Sequence, residues 1–298
     1  MTVRSGRVAV EGSFLHYVEA GAGAPGEPVV FLHGNPTSSY LWRQVLEPVA
    51  HASGRRCLAL DLVGMGRSGK PDIGYRLADH VRYVDAFLER TAPDGVTLVG
   101  HDWGGVIALD HARRHPARVR GVAVLESHLR PIPSWDDLDD GGRQLFGGLR
   151  TPGVGERMVF EDNVFVEAVL QAGTLRPLHE EDLDAYRAPF EHPATRLPML
   201  AWAREIPIAG EPADVAALVE ANRAVIRDPD LPVLLLHATP GAVVDAAAVA
   251  RCRSEGRNLT VADVGAGIHF LPEDRPSEIT AHLTTWLPGL RRTGTDGP

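Results

Sequence analysis

Cysteine is scarce in this chain: Cys57 and Cys252 are the only two in 298 residues, too few for a disulfide framework. Lysine is scarcer still. Lys70 stands alone and arginine supplies the other basic side chains, a bias we read as that of a GC-rich coding sequence rather than of function. No apolar run approaches the ~20 residues that cross a bilayer, so no membrane partner is expected. The opening MTVRSGRVAVEG has no apolar h-region, so no secretory signal is expected and the cytoplasm is the default. A basic surplus is missing too: the net charge is -9 and the pI is about 5.8, which argues against a nucleic-acid partner. The acidic excess is dispersed and is read as serving solubility. Nothing in the sequence sets the oligomeric state. What remains, 44% apolar and 23% charged residues, is the ordinary composition of a globular domain.

Residues 7–21 read as two short strands around Glu11-Gly12. Apolar and β-branched runs follow at 28–32, 57–63, 96–99 and 119–126, separated by helical patterns such as 77–90 and 106–115. That alternation predicts an α/β fold, a parallel sheet with helices on both faces. From about Ser127 to Ile226 the rhythm stops, in a segment rich in proline and acidic patches that carries short helical stretches and no convincing buried strand. It resumes at 232–238 and 259–264 and ends in a helix through Trp286. The reading is one α/β core, residues 1–127 and 227–298, interrupted by a helical cap over 128–226. The tail RRTGTDGP is expected to fray.

The stretch LVGHDWGGV, Leu98 to Val106, has the G-x-Asp-x-G spacing of a nucleophile elbow, with aspartate where serine usually sits. Asp102 at the start of a helix could be a simple N-cap, but a cap does not explain glycine at both flanking positions, which suits a cramped turn. A serine that attacks a saturated carbon forms an ether, which water does not readily cleave. A carboxylate forms an ester, which water hydrolyses at the carbonyl carbon. Asp102 therefore predicts displacement at an sp3 carbon bearing a leaving group, followed by hydrolysis that needs an oriented base. His269, in GAGIHFLPED after the last strand, stands where the histidine of such a triad belongs. Two carboxylates compete to orient it: Glu126 at the end of VAVLE, and Asp245 after the strand PVLLLHA. The chain order fits both.

These residues sit among others that together resemble the haloalkane dehalogenases: HGNPTSSYLWR (33–43), DLVGMGRSGKP (61–71), GHDWGG (100–105), RPIPSWDD (130–137), DNVFVEAVL (162–170), EIPIAGEPA (205–213) and GIHFLPEDRP (267–276). The likeness spans roughly residues 10–290 and is closest to the subfamily whose catalytic acid follows the sixth strand. It implies an α/β-hydrolase fold, a mostly parallel eight-stranded sheet flanked by helices with an inserted helical cap. It implies Asp102 as nucleophile, His269 as base and Glu126 as acid, and leaves Asp245 a spare carboxylate. Asn35 and Trp103 match the pair whose side-chain N–H groups hold the leaving halide and whose backbone N–H groups form the oxyanion hole. The chemistry agrees, because a departing halide needs donors: indole is donor-only and an amide offers two. The reaction implied takes a small apolar haloalkane and water to alcohol, halide and a proton, with no cofactor and no metal.

Trp135, Phe146, Phe165 and Trp202 in the insertion, with Phe270, are expected to line an apolar pocket or its access route, or else to be core. Ser127-His128 depart from the apolar start expected for the cap and put a polar pair near the pocket. Gly64 to Gly69 is formally GxGxxG, but Lys70-Pro71 interrupts any helix there, so no dinucleotide site is expected. His111 and His115 are spaced i,i+4 without the glutamate of a metalloprotease motif and read as a solvated helix face. The main alternative, an epoxide hydrolase, usually presents two cap tyrosines, and here the insertion has only Tyr186. A cofactor-independent luciferase-like enzyme and a non-enzymatic receptor on the same fold remain further alternatives.

Overall fold

Strands β1 (Arg4–Val10) and β2 (Ser13–Ala20) pair antiparallel across Glu11 and Gly12. Both turn residues have positive φ, 49° and 73°, as the tightest hairpin turns demand. A computed structural model describes residues 2–290; the tail 291–298, expected to fray, lies outside the described residues. Six further strands follow: β3 (Val29–Leu32), β4 (Cys57–Leu60), β5 (Val96–His101), β6 (Val119–Leu125), β7 (Val233–Pro240) and β8 (Leu259–Gly267). They form one eight-stranded sheet in the order β1-β2-β4-β3-β5-β6-β7-β8, antiparallel only where β2 meets β1 and β4. β3, β4 and β5 are buried along their whole length, which explains why they read as unbroken apolar runs rather than alternating ones: helices cover both faces.

The early helices are α1 (Leu46–Ser53), α2 (Leu77–Thr91) and α3 (Trp103–Arg114). α3 begins directly behind Asp102, three residues earlier than the sequence pattern suggests, because the turn from β5 has no loop at all. Between β6 and β7 the chain is helical, with helices at Asp140–Arg150, Glu180–Arg187, Leu197–Glu205 and Ala213–Ile226. Two π-helical turns, Arg157–Glu161 and Phe165–Val169, stand among them. The last helix of this segment packs on α3, with Asn222 Nδ2 donating to the Val106 carbonyl at 3.0 Å. The segment is also latched to the core by a half-buried polar cluster. Arg43 donates to Glu273 at 2.6 Å and to Asp182 at 2.8 Å, and the Tyr40 hydroxyl donates to Asp182 at 2.8 Å. Among the described residues no helix is long and apolar enough to cross a membrane, and both cysteines are free and buried.

Candidate active site

In a parallel α/β sheet, reactive groups gather beyond the carboxyl ends of the strands. Asn35 follows β3, Asp102 follows β5, Glu126 follows β6 and His269 follows β8. Asp102 has φ 53° and ψ −125°, a conformation that an L-residue holds only when its surroundings impose it. The surroundings are glycines. A Cβ on Gly100 would overlap the Gly104 carbonyl, one on Gly104 would overlap the Leu32 carbonyl, and one on Gly105 would overlap the Ser127 hydroxyl. The N-cap alternative is excluded by geometry, since the Asp102 side chain makes no capping bond to α3. Its carboxylate instead accepts the backbone N–H of Asn35 at 2.9 Å, and the backbone N–H of Trp103 acts on it as well. Burial raises the carboxyl above its ordinary pKa, while His269 and these two N–H groups pull it back down.

Nδ1 of His269 lies 3.4 Å from Glu126 Oε2, long for a hydrogen bond, as resting-state geometry often is. Glu126 is fully buried and is held by the turn after β7: Ala242 and Val243 donate backbone N–H to Oε2 at 2.9 and 2.8 Å, and Val244 donates to Oε1 at 3.2 Å. Asp245 ends that same turn but points away, accepting the Ala248 N–H at 2.6 Å as the cap of the helix Ala246–Glu255. Of the two carboxylates that chain order allows, only Glu126 is placed at the imidazole. Burial pulls the His269 pKa down, but Glu126 and Asp102 outweigh it and hold the ring above its ordinary value.

Asp102, Trp103 and His269 line one cavity of about 830 Å³, together with Asn35. Trp103 is buried at 1% exposure, and among the described residues no acceptor takes its indole N–H. The Asn35 amide donates one N–H to the Met199 carbonyl at 3.2 Å, which leaves its second N–H uncommitted. Phe146, Phe165 and Phe270 line the cavity; Phe165 opens a π-helical turn, a wider coil that recurs at functional sites. Trp135 and Trp202 do not line it. Trp135 is half-buried beneath the Arg150 guanidinium, 5.2 Å from its ring. Trp202 is fully buried behind the site, stacked 4.7 Å from the Trp103 ring on one side and 4.0 Å from the His80 ring on the other. It buttresses the indole rather than facing a ligand.

Two residues support the site in roles the sequence did not assign them: His101, inside the GHDWGG motif, and Ser127, noted only as half of a polar pair. His101 Nε2 is 2.9 Å from the carbonyl of His269, so its N–H steadies the loop that carries the imidazole. Ser127 donates its hydroxyl to the Asp102 carbonyl at 2.8 Å, so half of the polar Ser127-His128 pair serves the elbow. The signal for both was a polar residue in an otherwise apolar strand end.

Elsewhere the formal GxGxxG turn closes on a buried carboxylate. Asp61 accepts N–H groups from Ser39 at 2.6 Å and Arg67 at 2.8 Å, with His16 Nδ1 at 2.8 Å. The reading of His111 and His115 as a solvated face needs correction at His111, which is buried against Asp85 at 2.7 Å because α2 packs on α3. Asp85, His111 and His115 have ligand spacing, but the Arg114 guanidinium spans the gap, 2.8 Å from Asp85 and 3.0 Å from His115 Nε2. Tyr186, the lone tyrosine of the insertion, is buried with its hydroxyl donating to Glu273 and does not line the cavity.

Sheet order, elbow and helical insertion define an α/β-hydrolase with a carboxylate on its elbow, and a family model of the alpha/beta hydrolase fold matches residues 27–276. A haloalkane dehalogenase of Mesorhizobium japonicum is 45% identical over 95% of this chain and 90% of its own, and one of Sphingobium indicum is 40% identical with 95% of each chain covered. Haloalkane dehalogenase DbeA from Bradyrhizobium elkani superposes with a TM-score of 0.90 at 42% identity, covering 97% of this chain and 98% of that one. DatA from Agrobacterium tumefaciens does so with 0.89 at 40%, covering 96% of each. The chain belongs to the haloalkane dehalogenase family.

Proposed function

We infer that the protein hydrolyses haloalkanes to an alcohol, a halide ion and a proton by way of an ester on Asp102. The observation that carries this is a carboxylate on the elbow, on the wall of the cavity into which Trp103 brings an unclaimed N–H donor and His269 its imidazole. In the first step Asp102 attacks the carbon bearing the halogen, and the carbon–halogen bond breaks as the carbon–oxygen bond forms. The halide leaves toward the Trp103 indole N–H and the free N–H of the Asn35 amide, donors that gain strength where negative charge collects in a dry site. In the second step His269 takes a proton from water, the resulting hydroxide adds to the ester carbonyl, and the backbone N–H groups of Asn35 and Trp103 receive the oxyanion. The adduct then collapses: the bond from the carbonyl carbon to the alkoxy oxygen breaks, the departing alkoxide takes the proton from His269 and leaves as the alcohol, and the Asp102 carboxyl loses the net proton to solvent. Glu126 stabilises the imidazolium.

The two steps ask opposite things of His269. Protonated, it steadies the Asp102 anion before attack; neutral, it serves as base afterwards. Ester formation removes the Asp102 charge, one of the two that hold the His269 proton on, so alkylation itself frees the imidazole for its second task. The core, residues 1–127 and 227–298, carries this machinery. Residues 128–226 act as the cap, with Ala213–Ile226 as its footing. The partners are a small apolar halogenated substrate, water and halide, handled without a metal or organic cofactor, and we place the enzyme in the cytoplasm.

A panel of chlorinated and brominated alkanes beside a panel of epoxides tests the reading. Halide release with equimolar acid from the first panel is expected. Turnover of epoxides alone would transfer the assignment to the alternative that Tyr186 already disfavours.

The acid assignment has its own test. Glu126→Gln leaves His269 without an anion and is expected to slow ester hydrolysis by about 10²-fold or more, so that ester accumulates. Asp245→Asn keeps a side-chain oxygen to cap the helix, since asparagine caps about as well as aspartate, and leaves both stability and turnover near wild type. Accumulation of ester in the Asp245 variant instead would reverse the assignment.

A further inference from the structure

The polar pair Ser127-His128 divides once the structure is known. Ser127 is committed to the elbow, with its hydroxyl on the Asp102 carbonyl. His128 is not committed to anything. It is buried at 8% exposure, lines the same cavity as Asp102, Trp103 and His269, and its ring centroid lies 5.7 Å from that of Trp103. Among the described residues neither of its ring nitrogens has a hydrogen-bond partner, and neither is sealed away from the cavity, unlike Nδ1 of His101. Burial and the positive charge of His269 push its pKa down to about 4. At neutral pH the ring therefore presents one N–H donor and one lone pair, and no charge.

A buried polar group is expected to find a partner. Here the protein supplies none, so the partner comes from the cavity: water when no substrate is bound, and part of the substrate when one is. A purely alkyl substrate displaces that water without replacing its bonds, which lowers affinity. A hydroxyl group replaces them, because it donates to the lone pair or accepts from the N–H.

We propose that His128 is a substrate-recognition residue and that the enzyme favours haloalkanes carrying a hydroxyl group close to the carbon that bears the halogen. The inference rests on the dehalogenase reading and adds the substrate class. The pair 3-bromo-1-propanol and 1-bromobutane isolates it, because the two differ by a hydroxyl in place of a methyl at the far end. The first is hydrolysed to 1,3-propanediol, bromide and a proton.

The quantity to measure is the ratio of kcat/KM for the bromoalcohol to that for the bromoalkane. In His128→Leu, and in His128→Phe as a ring-keeping second variant should Leu fold poorly, the ratio is expected to fall by about tenfold, the worth of one hydrogen bond. The fall is expected in KM for the alcohol, with a gain for 1-bromobutane, whose binding no longer displaces ordered water. His128→Gln, which keeps a donor and an acceptor, restores part of the ratio. An unchanged ratio in the Leu and Phe variants overturns the proposal while leaving dehalogenation intact, and so does an equal loss on both substrates. Bromide release from neither substrate by the wild-type enzyme would instead bring down the dehalogenase reading, and this proposal with it.

Discussion

Replacing Asp102 by alanine abolishes halide release, with an expected loss of at least about 10⁴-fold, the scale seen when a covalent nucleophile is removed from a working triad. No bypass is available. Among the described residues the other carboxylates that line the cavity or stand beside it are engaged: Glu126 in three backbone N–H bonds, Asp137, Asp139 and Asp245 with backbone N–H groups of their own turns, and Glu255 in ion pairs with Arg223 and Arg227. Stability changes far less. The substitution removes a buried carboxylate, whose pKa burial raises, but leaves alanine in the left-handed region at φ 53°. These effects oppose one another and together stay within about 2 kcal/mol. A thermal melt beside a halide-release assay separates loss of chemistry from loss of fold. Steady halide release by a folded Ala variant would remove Asp102 from the mechanism.

His269→Phe divides the reaction in two. Attack by Asp102 requires no proton transfer, so the variant still forms the ester, though more slowly, because it lacks the imidazolium that helps keep Asp102 charged. Hydrolysis requires a base, since neutral water is a weak nucleophile. The variant is expected to release about one halide per active site and stop, in the burst pattern of a trapped covalent intermediate. Intact-mass spectrometry should show the alkyl group added, localised to the peptide that contains Asp102. Multiple turnovers at a wild-type rate would show that another group is the base, and a burst without added mass would argue against the ester.

Much of this architecture was legible in the sequence because its causes are local. A strand covered on both faces reads as an unbroken apolar run, so β3, β4 and β5 announced themselves. An elbow with no room for Cβ atoms must be flanked by glycine, so Gly100 and Gly104 pointed to Asp102. The orienting acid was ambiguous because Glu126 and Asp245 both follow strands in an allowed order. What separates them is the turn after β7, where the N–H groups of Ala242, Val243 and Val244 converge on Glu126, and no sequence pattern displays that convergence. The cap was the least legible part. Its contacts are long-range, so Trp202 could be read as pocket lining when it stacks between Trp103 and His80, and Tyr186 showed no sign of its bond to Glu273. His111 likewise read as solvated until the packing of α2 on α3 brought Asp85 beside it.

The ester on Asp102 makes a claim about oxygen atoms, and one labelling measurement addresses it. In a single turnover with enzyme in excess, carried out in ¹⁸O-water, the alcohol takes its oxygen from the Asp102 carboxylate, while water adds to the ester carbonyl. The account predicts unlabelled alcohol and one ¹⁸O in the peptide containing Asp102. Labelled alcohol with an unlabelled Asp102 would mean that water displaces the halide directly, and would contradict it.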